Sequence, residues 1–252
     1  MSRGSVGFIV LTLWGAAIGG AHAMTLSSGD GDIVELLTQA SDIVVGRVAT
    51  VTDGIDDRGV PYTEVTLHVA ESIRGDLSGT YTFRQFGLLK PRLTADGTRM
   101  RMPAPPGFPR YQEGEDLVLF LRPAAAWTGF RMPAGVTQGK FTVAAGRVEN
   151  GMGNAGLFRN VRLERGLATE RDKRLLTTAS GPLNPDAFLS FVRRAVQERW
   201  VERNRMTRSD RREASRIPPQ SDRGDAHDGT PAAPAPAEQD PNANPALPRS
   251  GR

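Results

Sequence analysis

The chain has no cysteine and only three histidines, His22, His68 and His227. The first absence removes disulfides, thiolate metal sites, iron–sulfur clusters and cysteine nucleophiles together, so a compact domain of this composition must hold by packing alone. The second leaves little for acid–base chemistry, because His22 falls in an N-terminal leader and His227 in the C-terminal tail, leaving His68 as the single imidazole of the central region. A zinc site needs three or four ligands, and a serine triad needs a positioned imidazole beside an exposed nucleophile. His68 with its neighbours Glu64 and Glu71 supplies one imidazole and no nucleophile setting, and reads as a solvent-facing strand residue. Paired carboxylates such as Glu113 with Glu115, or Asp56 with Asp57, lie in turn-like stretches where charge is solvated. No catalytic, cofactor-binding or metal residue is assigned, and the chain is expected not to be an enzyme.

Lysine is scarce too, occurring only at Lys90, Lys140 and Lys173, so the formal net charge of +4 rests on arginine. Mild positive charge favours anionic surfaces in a non-specific way and carries no fold information. After residue 18 no stretch approaches the roughly 20 apolar residues that a membrane-spanning helix needs. Residues 1–23 instead have the three parts of a secretory signal: Arg3, an apolar run over residues 7–18, and Ala21-His22-Ala23 as a small-residue cleavage site. Export to the periplasm or beyond follows, with no transmembrane span after cleavage.

The rest of the 252 residues suffices for one domain, since the C-terminal part is not globular in composition. Residues 32–40 place Ile33, Leu36, Leu37 and Ala40 at helical spacing behind Asp30 and Asp32. Residues 43–51 are rich in β-branched side chains. After the turn-rich stretch 53–59, residues 62–73 alternate, with Val65, Leu67 and Val69 on one face and Glu64, Thr66 and His68 on the other. The two runs predict a long hairpin, and residues 80–86 a third strand. Residues 87–115 carry Pro91, Pro103, Pro105, Pro106 and Pro109 among scattered Arg and Met, a loop long enough to imply function or partial disorder. The continuous apolar run 117–121 suits a strand buried on both faces. Short strands are expected at 129–132, 139–144, 147–149 and 157–163, and Asn184-Pro185 starts a helix running to about 203 along Phe188, Phe191, Val192, Ala195 and Val196. Its packing is expected to stop near Arg199. Residues 205–252, first Arg-rich and then dominated by Pro, Ala, Asp and Gly, read as disordered.

Three motifs have ordinary explanations. Gly151-Met152-Gly153-Asn154-Ala155-Gly156 spells G-x-G-x-x-G, but no amphipathic helix follows it, so it reads as a hairpin loop rather than a dinucleotide site. Arg74-Gly75-Asp76 between two strands is what a tight turn requires. The arginines at 193, 194, 199, 203, 205, 208, 211 and 212 could dock on phosphates or anionic lipid, though Glu198, Glu202, Asp210 and Glu213 dilute them.

The order of a short helix, Ser41-Asp42-Ile43-Val44-Val45-Gly46-Arg47-Val48, Thr66-Leu67-His68-Val69-Ala70-Glu71-Ser72-Ile73-Arg74-Gly75-Asp76-Leu77 and Tyr111-Gln112-Glu113-Gly114-Glu115-Asp116-Leu117-Val118-Leu119-Phe120-Leu121 resembles that of functionally uncharacterised secreted bacterial proteins. More distantly it is similar to the OB-type barrel of the tissue inhibitors of metalloproteinases and netrin-like modules, over residues 33–163. Those inhibitors chelate the protease zinc through an N-terminal cysteine, which this chain lacks, so no inhibitory residue carries over. The resemblance implies a mainly β domain at residues 24–204: a small antiparallel OB-like barrel with its core at 33–163, flanked by the N-terminal helix and a C-terminal helix at 184–203. The expected function is an exported protein- or envelope-interaction module that binds through the 87–115 loop. Binding of an anionic lipid, glycan or nucleic-acid surface through the Arg-rich helix and tail is the alternative, and protease inhibition stands on fold analogy alone.

Overall fold

The computed structural model describes residues 31–94 and 96–209. The signal-like residues 1–23 and the tail from residue 210 onward lie outside the described residues. The domain is built on a hairpin of two 14-residue strands, β1 (Asp42–Ile55) and β2 (Pro61–Arg74), longer at both ends than alternation alone marks out. Its register shifts three times, between Ile43 and Val44, Val45 and Gly46, and Val48 and Thr50. Such bulges increase local twist and coil a long ribbon. Gly46 sits at the second shift, where a Cβ would lie 2.6 Å from the His68 carbonyl oxygen, so the two backbones can approach there only without a side chain.

With β3 (Gly79–Phe86), β4 (Arg92–Leu93), β5 (Arg99–Met100), β6 (Asp116–Leu121), β7 (Lys140–Ala144) and β8 (Arg147–Asn150), the chain forms one six-stranded antiparallel sheet in the order β3-β2-β1-β6-β7-β8 and a separate small hairpin, β4–β5. A second two-stranded sheet pairs β9 (Val161–Leu163) with β10 (Met206–Arg208).

The fold is mainly β as expected, but the sheet does not close into a barrel. Both edges are occupied by loops instead: Arg131 N–H donates to Arg84 O of β3 at 2.8 Å, and Val148 of β8 exchanges hydrogen bonds of 2.9 and 3.0 Å with Leu183. Each loop takes the backbone groups that closure would need.

Strand β6 explains its own continuous apolar sequence. Val118 and Phe120 enter one core, while Leu117, Leu119 and Leu121 enter another on the opposite face. The first core is covered by α1 (Ile33–Gln39) and α3 (Pro185–Gln197). There the Phe188 and Phe141 rings pack at a tilt with centres 4.8 Å apart, and Phe191 meets Phe158 and Trp200 edge-on. The second core is made by the sheet's own Val44, Val48, Val65, Leu67 and Phe83, with Tyr111 the one loop residue among its buried members.

The helix ends follow capping rules. Asp32 caps α1 through Glu35 N–H at 3.0 Å, and Asn184 caps α3 through Ala187 N–H at 3.0 Å with Pro185 behind it. A helix not anticipated from sequence, α2 (Glu170–Leu176), opens on a Thr169–Asp172 capping box, and Asp172 also pairs with Arg194 of α3.

Packing does not stop at Arg199. That residue adopts a positive φ of 54° and, with Trp200 N–H bonded to Ala195 O and its own N–H to Val196 O, closes α3 in a Schellman turn. The turn drives Trp200 into the core at 0% exposure, and the chain continues into β10, where Met206 is 1% exposed. Residues 205–209 are therefore part of the domain rather than of a tail.

The strand expected at 129–132 is a loop organised by Arg131. Its guanidinium turns inward to Tyr81 Oη at 2.8 Å, Ser41 Oγ at 2.6 Å, the Arg122 carbonyl and Asp42. Of residues 157–163 only Val161–Leu163 form a strand. The glycine-rich stretch 151–156 is not a hairpin loop, because β8 and β9 pair with different partners.

Phe188→Ala is expected to destabilise the domain by about 3–5 kcal/mol, read from urea unfolding, because it opens a cavity between helix and sheet. Ending the chain after Asn204 should cost about 2–5 kcal/mol from Met206 alone and also strips Asp32 of its Arg208 partner.

Candidate functional site

Most of the carboxylates singled out in the sequence are engaged in contacts within the domain. His68 is exposed on β2, and the carboxylates near it are held by arginines, Glu64 by Arg84 at 2.7 Å and Glu71 by Arg193 at 2.6 Å. Hydrogen bonding from Arg193 keeps Glu71 below the ordinary carboxylate range. Glu113 accepts from Val51 N–H at 3.2 Å, and Glu115 holds Lys140 and the Thr142 hydroxyl. Among the described residues no group of three or more His, Asp or Glu is placed to hold a metal ion. Burial, aided by Glu115, pushes the Tyr111 hydroxyl far above its usual value and keeps it neutral.

The motifs also resolve into structure. Arg74 of the Arg-Gly-Asp turn points inward, to the Leu37 and Ala40 carbonyls at the end of α1 and to Glu202 at 3.0 Å. In the glycine-rich stretch the two asparagines do the work. Asn150 Oδ1 accepts from Met152 and Asn154 N–H, and Asn154 Nδ2 donates to the Val148 and Gly181 carbonyls, each at 2.9–3.0 Å.

The arginine run likewise fastens the C-terminal segment to the rest. Arg193 pairs with Glu71, Arg194 with Asp172, Arg205 with Glu164, and Arg208 with Asp32 and Glu35. Arg199 and Arg203 are exposed, while Arg211 and Arg212 lie outside the described residues.

What remains is the end of the sheet where β1 turns into β2. The loop 87–115 is folded onto this end by Asp53, which belongs to β1 rather than to the turn read from sequence. Its Oδ2 accepts from Leu89 N–H at 2.7 Å and Lys90 N–H at 3.0 Å, and its Oδ1 takes the Arg92 guanidinium. Burial works to raise the Asp53 pKa, but Arg92 and the two N–H groups outweigh it and hold the carboxyl below its usual range.

Two further contacts fix the loop. Leu88 N–H bonds to Met102 O at 2.8 Å, and Gln85 Nε2 to Pro109 O at 3.0 Å. Gly87, at φ 111°, lies so near the Ala104 backbone that a Cβ would collide with it. The β4–β5 hairpin then projects beyond, its tip organised by Asp96 through the Thr94 hydroxyl and Thr98 N–H.

This end carries four of the five exposed large apolar side chains among the described residues: Leu89 at 59%, Leu93 at 72%, Met102 at 41% and Trp127 at 70%. Arg58, in the β1–β2 turn, joins Trp127 to the patch by lying 5.2 Å from its ring centre and donating to its carbonyl at 2.6 Å. A groove of about 910 Å³ runs between this turn and β4–β5, lined by Ile55, Asp56, Asp57, Leu93, Asp96 and Met100 among others. Asp56 is kept ionised first by Val60 N–H, and Asp96 first by the Thr94 hydroxyl. A smaller groove of about 460 Å³ lies between Phe108–Arg110 and the polar face of β7–β8. Sequence marked the loop as unusual by its length, but nothing in its composition pointed to Asp53 as its anchor.

Asp53→Asn is expected to weaken the loop's attachment by about 1–3 kcal/mol, seen as faster proteolysis between residues 88 and 102 at pH 7; unchanged protection would show that Asp53 is not the latch. Because the folded-state pKa of Asp53 is depressed, its contribution is fully present above the unfolded carboxylate value. In the unmodified chain the same opening should appear only as pH falls below about 4. Comparison of the chain with protein-family models, with curated proteins and with solved structures finds no match, so the function is argued from these residues alone.

Proposed function

We propose that this chain is an exported, non-enzymatic module that binds another protein or an envelope component through the end of the sheet formed by the β1–β2 turn, the 87–115 loop and Trp127. The observation that carries it is the gathering of Leu89, Leu93, Met102 and Trp127, all exposed, at one end of a domain whose other large apolar side chains are, but for Met152, at least partly buried. Large exposed apolar groups gathered at one end of a domain mark an interaction site, and aromatic and large apolar groups dominate interface energetics. The latch at Asp53 supports the same reading, since a loop held by three backbone and side-chain donors presents its contacts with little ordering cost on binding.

The likeness to OB-type barrels enters this proposal only as an arrangement of short antiparallel strands that offers contact loops at one end. Export rests on the signal-like residues 1–23. The alternative, anionic-surface binding by the arginine run, draws less support, because Arg193, Arg194, Arg205 and Arg208 are spent on carboxylates within the domain.

The test is capture from native envelope and secreted fractions on the immobilised mature chain, run beside a Leu89→Ser/Leu93→Ser/Trp127→Ser variant. A discrete partner held at high salt by the unmodified chain, and lost by about tenfold or more in the variant, is the expected result. Equal retention by the two overturns the assignment of this surface.

A further inference from the structure

The groove beside Leu93 lets the reading above be taken one step further, to the chemistry of the partner. Its apolar lining is Ile55, Leu93 and Met100, which come from the β1–β2 and β4–β5 hairpins and so form two facing walls. Its charged lining is Asp56, Asp57 and Asp96, and no lysine or arginine lines it. In a chain of net charge +4 this is a local reversal of sign.

Among the arginines next to lining residues in sequence, Arg92 is held by Asp53, Arg99 is exposed on β5, and Arg58 is paired with the lining residue Asp56. The Arg58 guanidinium is taken by Asp56 Oδ2 at 2.9 Å and by the Trp127 ring and carbonyl. Asp57, by contrast, is exposed and makes no hydrogen bond or ion pair within the described residues. The volume of about 910 Å³ lies toward the upper end of the usual range for binding clefts, and the groove is open along its length.

We infer that this groove takes an extended, basic segment of a partner protein, in which apolar side chains seat between the two hairpins and lysine or arginine side chains meet Asp57 and Asp96. The inference rests on the interaction-surface reading and adds selectivity to it. Complementary charge fixes register and excludes like-charged competitors, while the apolar contacts supply affinity. An anionic lipid surface is disfavoured at this groove because its headgroups would face Asp56, Asp57 and Asp96.

The experiment uses the full mature chain and fluorescence anisotropy with three short labelled peptides: lysine alternating with leucine, glutamate alternating with leucine, and lysine alternating with serine. The lysine–leucine peptide is expected to bind at least about tenfold more tightly than either of the others, with affinity falling as salt rises. Asp57→Lys, at an exposed position with no partner to lose, should weaken it by about tenfold without changing the unfolding midpoint. Leu93→Ser should weaken it comparably.

Equal binding of the glutamate–leucine peptide overturns the charge selection, and equal binding of the lysine–serine peptide overturns the apolar seat. No binding of any peptide overturns this inference alone, because the capture result with Leu89, Leu93 and Trp127 stands or falls separately. Two further outcomes replace the occupant and so refute the inference as stated. One is Leu93-dependent sedimentation with vesicles of anionic lipid; the other is concentration-dependent self-association abolished by Asp57→Lys.

Discussion

A strand with no polar face cannot lie on the surface of anything, and β6 has none. Val118 and Phe120 point one way, Leu117, Leu119 and Leu121 the other, and all five are fully buried. Both faces of the sheet must therefore be covered at this strand. One cover is helical, supplied by α1 and α3, and the other is made by the coiled β1–β2–β3 ribbon with Tyr111. Antiparallel sheets commonly leave one face to water. Here the bulges that coil the hairpin let a single sheet serve as a wall of two cores.

Arginine is used in this domain chiefly as a fastener. Arg131 binds a loop to the sheet, Arg74 closes the end of α1, Arg92 completes the Asp53 latch, and Arg194 and Arg208 tie the C-terminal elements to Asp172 and Asp32. The guanidinium suits this work, because its several planar donors can satisfy carbonyls and carboxylates at once. With no disulfide possible, these bonds are what hold long irregular segments against the two cores. The carboxylates they satisfy, buried at Asp32, Asp53 and Asp172, would be costly to leave unpaired.

The regular elements were legible because their information is local. Alternation at Val65 and Leu67, the unbroken run 117–121, and the Asn184-Pro185 start of α3 each follow from a few neighbouring residues. What sequence missed depends on contacts across long separations. Arg131 reads as part of a short strand until Asp42 and Tyr81 are placed beside it, and Asp53 reads as a turn former until Leu89 and Lys90 arrive 36 and 37 residues later. Strand β10 has one buried side chain among three residues, so its pattern is too short to stand out from an arginine-rich stretch. Barrel closure failed for the same reason, since the loops that occupy the two sheet edges declare themselves only in three dimensions. Of the candidate surface, the loop's unusual length was visible, but the groove and its aspartates were not.

The pairing of Arg208 with Asp32 joins residues 176 positions apart, near the two ends of the described residues. Trp200 and Met206, which finish the first core, also come from the last residues of the domain. A chain appearing N-terminus first can form the β1–β2 hairpin early from near neighbours, but it cannot complete its helical side until about residue 208 is free. The first core of this domain is thus closed last, by the residues of the domain that are made last.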